Sequence, residues 1–119
     1  MANGPGIYNF SAMVRGDTFR SRAIASNISQ YGVPLALTSA RMQVRKRGGG
    51  KILLEWESCT ITGDDLNNVT LSEKTSAEMQ EIETGQHEYD LEIIFASDGA
   101  KLTLLAGRFP IIPDVTRND

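Results

Sequence analysis

The chain is short of the residues that cross-link, catalyse or anchor. It has one cysteine, Cys59, which excludes an intramolecular disulfide. Cys59 stands in an apolar/polar alternation and is expected as a small, half-buried strand residue. A lone thiol fits synthesis in a reducing cytoplasm. There is also one histidine, His87, so the clustered His and Cys ligands of a metal site are missing and few nucleophile–base pairs can form. His87 is expected as an exposed residue at a strand start. No stretch approaches the roughly 18 apolar residues of a spanning helix, so no membrane contact is expected. Residues 1–6 hold no basic region and no apolar run, and a secretory signal is not expected. The net charge of −3 is too mild to draw nucleic acid to the molecule as a whole.

What is present reads as one domain. A length of 119 residues, 40% of them hydrophobic and 23% charged, suits a single globular core. Residues 1–6 are expected as a flexible arm and 7–117 as the folded unit. Period-two alternation places Tyr8, Phe10, Ala12 and Val14 on one strand face, followed by a turn at Arg15-Gly16-Asp17. Alternation resumes over residues 18–28, with Phe19, Ala23 or Ile24, and Ile28 as core candidates. Tyr31-Gly32-Val33-Pro34 is a turn. Residues 38–47 alternate cleanly, with Ala40, Met42 and Val44 inward and Arg41, Gln43 and Arg45 outward. Gly48-Gly49-Gly50 is expected as a hairpin tip, with short strands over 51–56, 59–62 and 69–71.

Thr75-Ser76-Ala77-Glu78 has the spacing of a capping box and predicts a helix of about two turns, ended by Gly85 and crossing between sheets. Tyr89, Leu91, Ile93 and Phe95 line one face of a strand, and Ser97-Asp98-Gly99-Ala100 turns it into a partner over 101–112. In that partner Gly107 is expected to mark a bulge, and Pro110 and Pro113 to place the end at a sheet edge. The tail, residues 116–119, is polar. Short strands, regular turns and one short helix favour an antiparallel, immunoglobulin-like β-sandwich, with a small β-barrel as the alternative.

Each candidate site has a plain structural counterpart. Arg15-Gly16-Asp17 spells an adhesion tripeptide but also makes an ordinary tight turn. Asn9, Asn27 and Asn68 begin glycosylation sequons, which act only on a secretory route. Arg41, Arg45, Lys46, Arg47 and Lys51 gather charge around the glycine tip, where they would meet phosphate or an acidic partner, or guard a sheet edge. No interleaved aromatics supply base stacking, and Gly48 to Lys51 lacks the spacing of a phosphate-binding loop. Asp64-Asp65-Leu66-Asn67-Asn68 offers oxygen ligands for calcium, although turn chemistry alone explains the cluster. No catalytic residue and no cofactor is expected.

Four strings, taken in order, carry a family resemblance. They are Val14-Arg15-Gly16-Asp17-Thr18-Phe19, Pro34-Leu35-Ala36-Leu37-Thr38-Ser39-Ala40-Arg41-Met42-Gln43-Val44-Arg45, Tyr89-Asp90-Leu91-Glu92, and Pro113-Asp114-Val115-Thr116-Arg117 behind the Gly107 strand. The chain resembles small virion proteins of tailed bacteriophages and prophages. It is similar to the immunoglobulin-like N-terminal domain of phage upper-baseplate proteins, departing from that pattern at Ser39, where glycine is usual, and at Asp114, where glutamate is. The resemblance implies a non-enzymatic structural protein of the tail or baseplate, a homo-oligomer or multi-copy component of a symmetric assembly, bound to other virion proteins. A capsid decoration or head–tail joining protein is the nearest alternative; a host-directed or nucleic-acid-binding accessory protein is one of another class. Contacts are expected on loops: Arg15 and Asp17, the tip with Arg45, Lys46, Arg47 and Lys51, and the turn with Asp64 and Asp65.

Overall fold

Apolar and polar side chains alternate along β6 (Leu37–Arg45) and β10 (Gly85–Phe95), so each strand turns one row inward and one outward. In the computed structural model, which describes residues 6–114, these strands pair antiparallel at the centre of the larger sheet. Its other members are β1 (Gly6–Ile7), β2 (Met13–Val14), β7 (Ile52–Trp56) and β11 (Lys101–Ile112), in the order β1-β11-β10-β6-β7, with β2 also on β11. A smaller sheet has the order β3-β9-β8, built from β3 (Arg22–Ala25), β9 (Asn68–Leu71) and β8 (Thr60–Thr62). β4 (Ser29–Gln30) and β5 (Val33–Pro34) form a separate hairpin.

One core joins these parts. Met42, Val44, Leu91, Ile93 and Phe109 from the larger sheet meet Val69 and Leu71 from the smaller one, and Met79 of the helix closes the end. The protein is an all-β sandwich with one short helix. Among the described residues the larger sheet ends in β7 on one side and the N-terminal pieces on the other. It is open, which removes the barrel alternative. The exposed backbone of β7 is covered by Lys74, whose Nζ donates to the Glu55 carbonyl at 2.7 Å and sits 5.1 Å from the Trp56 ring centroid.

The helix α1 (Ser76–Gln80) forms where the capping box predicts. Glu78 N donates to Thr75 Oγ1, and Thr75 N donates back to the Glu78 carboxylate. It runs between β9 and β10 and so does cross between sheets. It ends at Glu81 rather than at Gly85, which is the first residue of β10. The hairpins at Gly48-Gly49-Gly50, Tyr31-Gly32 and 97–100 lie where expected.

Several expectations need correction. The strand over 7–14 is two parallel fragments on β11, joined by a span that stays bonded to β11 through Phe10 and then leaves it. Only Phe10 of its expected inward row is fully buried, while Ala12 is exposed. The strand over 18–28 shrinks to β3, with Phe19 held by a lone bridge to Lys74 and Ala23 exposed. The bulge lies at Leu104, because Leu91 pairs with Leu105 and Glu92 with Thr103, whereas Gly107 is in register opposite Tyr89.

Pro110 is also not at an edge, since β11 has partners on both sides. Tyr8 N donates to Ala106 O, Phe10 N to Arg108 O and Arg15 N to Ile112 O, so this parity of β11 faces the N-terminal segment. Pro110 shares it. Its missing donor points at the break between β1 and β2, and the β10 ladder loses nothing. Gly6, expected in the arm, opens β1. The rest of that arm and the tail at 116–119 lie outside the described residues.

Candidate interaction surfaces

The two side chains best suited to nucleophilic or acid–base chemistry are both inside. Cys59 is buried, with its N–H donated to Ala40 O, and burial pushes its thiol up to about 11. At neutral pH it is a protonated, poorly nucleophilic thiol. His87 is not exposed as expected: it is only 3% accessible, and its Nε2 lies 2.7 Å from the Glu83 carbonyl. β10 starts at Gly85, two residues before His87, which puts His87 on the inward parity of Tyr89, Leu91 and Ile93. Counting back two from Tyr89 in the sequence would have revealed it. Among the described residues no three His, Cys, Asp or Glu side chains converge to hold a metal ion.

The expected contact loops divide between the two ends of the sandwich. At one end, the Arg15–Asp17 turn is tied to the helix: Arg15 Nε donates to Gln80 O at 2.9 Å, and Ser76 Oγ to Gly16 O at 2.6 Å. Gly16 has φ +89°, and a Cβ there would overlap the Gln80 side chain. Arg15 is half-buried and committed to structure, in keeping with the turn reading. The glycine tip is at the same end, joined to the segment after the helix by Lys46 and Glu83 at 3.3 Å.

The basic run is largely compensated. Arg41 pairs with Glu92 at 3.1 Å; Arg45 donates to Gln43 Oε1 at 2.8 Å and to Gly50 O at 3.3 Å. Arg47 and Lys51 are exposed, with no hydrogen bond or ion pair to the described residues. On the outer face of the sheet, Glu88 is paired in register with both Arg45 and Arg108, and Asp90 with Gln43. A groove of about 600 Å³ opens here, with Ile7, Asn9, Arg45, Glu88, Asp90 and Arg108 in its lining. Carboxylates and guanidinium groups alternate along it, which makes it a poor track for a phosphate backbone.

The Asp64–Asn68 turn belongs to the opposite end. Leu37 N, at the start of β6, donates to Leu66 O, while the glycine tip follows the end of β6. The eight steps between its nine residues, at about 3.4 Å each, put these regions about 27 Å apart. The turn's amides serve as struts: Asn67 Nδ2 donates to Ile28 O at 3.0 Å, and Asn68 Oδ1 accepts from Asn27 N at 2.8 Å. Asp64 and Asp65 stay exposed beside Leu66.

Sequence reading missed a surface at this end. The β4–β5 hairpin projects with Tyr31 95% and Val33 61% exposed, and Leu66 is 49% exposed next to its base. A cleft of about 380 Å³ separates it from the β10–β11 hairpin, with Ile28, Leu35, Phe95 and Leu102 in its lining. The sequence signal for it is the pair of large apolar side chains, Tyr31 and Val33, in a turn that chemistry otherwise explains through Gly32 and Pro34. Large apolar groups on a hairpin tip are the usual material of protein contacts.

No protein-family model matches the chain, and no curated protein sequence matches it. Among solved structures, it is similar to the crystal structure of CopC from Methylosinus trichosporium OB3b, with a TM-score of 0.48 and 12% sequence identity over 98% of this chain and 90% of that one.

Proposed function

We propose that this chain is a non-enzymatic structural protein of a tailed bacteriophage, acting through protein–protein contacts in the tail or baseplate region and present in many copies in the particle. The ordered strings between Val14 and Arg117 support the address. The observation that carries the mode of action is the placing of chemistry: Cys59 and His87 are withdrawn into the core, while Tyr31, Val33 and Leu66 are displayed on exposed turns. A sandwich presenting apolar loop residues recognises surfaces rather than transforming substrates.

The test is quantitative mass spectrometry of purified particles of the phage that encodes the chain, counting it against the major capsid and tail-tube proteins. Ring-sized stoichiometry is expected. Capsid-like abundance would instead make it a decoration protein, and absence from the particle would overturn the structural reading.

A further inference from the structure

The non-glycine residues with left-handed backbone among the described residues are Asn27, Tyr31 and Leu66, each with φ 53°, and they gather at the Tyr31 end. A turn with both central residues at positive φ ordinarily takes Asn-Gly; here it is Tyr31-Gly32. Left-handed backbone strains a bulky side chain, and Tyr31, 95% exposed, makes no hydrogen bond, ion pair or ring contact with the described residues that would offset it. The base of this hairpin is nevertheless tied to the sandwich. Leu35 N donates to Ile28 O, Ile28 N to Asn67 O, and Asn67 Nδ2 back to Ile28 O, all at 3.0–3.1 Å. Asp64 and Asp65 stand exposed at this end, residues 26–36 carry no cation, and the 97–100 turn adds Asp98 with Lys101 beside it.

The glycine tip at the opposite end has the complementary character. Gly48 and Gly49 present bare backbone, with no heavy atom within 4 Å of where a Cβ would stand, between the uncompensated cations Arg47 and Lys51. We propose that the Tyr31 end of one copy docks on the glycine tip of a second copy, head to tail. The Tyr31 ring lies on the bare glycine backbone under the Arg47 guanidinium, and Asp64 and Asp65 face Arg47 and Lys51. Since the two surfaces sit about 27 Å apart on one chain, no copy satisfies both by itself. The contact is heterologous, and successive copies close a ring or extend a filament. This inference rests on the proposed role as a multi-copy particle component.

Sedimentation velocity of the purified chain, from micromolar into millimolar concentration and at two salt levels, tests it. The expected result is concentration-dependent association that high salt weakens. Tyr31→Ala weakens it by on the order of tenfold or more. Asp64→Lys with Asp65→Lys, and Arg47→Glu with Lys51→Glu, each abolish self-association, while mixing these two proteins restores it. All substitutions are on exposed turns, and unchanged thermal unfolding of each variant confirms an intact fold. A wild type that stays monomeric throughout, association that survives Arg47→Glu with Lys51→Glu, or a mixture that stays monomeric would overturn the head-to-tail contact. Particle abundance is a separate readout, so either conclusion can fail alone.

Discussion

Gly107 earns its place through the space it leaves. It stands in register opposite Tyr89 with the Tyr8 carbonyl oxygen against it, and a Cβ would overlap that oxygen. The same oxygen accepts from Tyr89 Oη at 2.6 Å, and burial beside Tyr8 pushes the phenol up to about 12, so it remains a donor at all ordinary pH. Gly107→Ala is therefore expected to cost about 1–3 kcal/mol by forcing the N-terminal segment away from β11. Denaturant unfolding would report that loss, and amide exchange at Tyr8 and Phe10, whose N–H groups donate to Ala106 O and Arg108 O, would speed up selectively. Unchanged exchange at those amides would show that the close approach does not hold the segment. The glycine itself was visible in the sequence, but its reason was not, because Tyr8 lies 99 positions away along the chain.

Elements followed their local signals where those signals were strong. The capping box, the glycine tip and the clean alternation of β6 and β10 each arise from residues within a few positions of one another. The helix shows the energetics at this scale. Its backbone and side-chain bonds from Thr75 hold the Glu78 carboxyl below its usual value of 4.5, so the box contributes fully above that value and its contribution is lost as the pH falls through the lowered one. Thr75→Ala is expected to cost about 1 kcal/mol near neutral pH, read by thermal or urea unfolding, with little change in spectroscopic signature. A loss below a few tenths would mean that the packing of Met79 and Ile82, both buried, fixes this turn without help from the cap. The segments 7–14 and 18–28 read as full strands because alternation cannot tell a paired residue from one that merely faces the core. Their ladders depend on where β11, β9 and Lys74 run.

At the scale of the molecule, Phe109 is the joint. Its ring centroid lies 4.9 Å from Phe10, 6.2 Å from Phe19 and 6.4 Å from Trp56, linking the N-terminal segment, the lead into β3 and the edge strand β7. Phe109→Ala is expected to cost about 3–5 kcal/mol and to unfold both sheets together, which Trp56 fluorescence and circular dichroism would report as coincident transitions. Separated transitions would show that the sheets are independent units. Composition and periodicity by themselves determined the all-β class, the turns, the helix cap and most of the buried rows, since these depend on short-range chemistry and on a two-residue repeat. The tertiary structure alone decided the parallel docking of the N-terminal segment, the pairing of Arg41 and Lys46 with distant carboxylates, and the division of the expected contact loops between two ends. Each of these is a relation between residues far apart in the chain, which a strand's own pattern does not encode. The exposed Tyr31 end belongs with them: a tyrosine in a turn is only a residue until the fold leaves it without a neighbour.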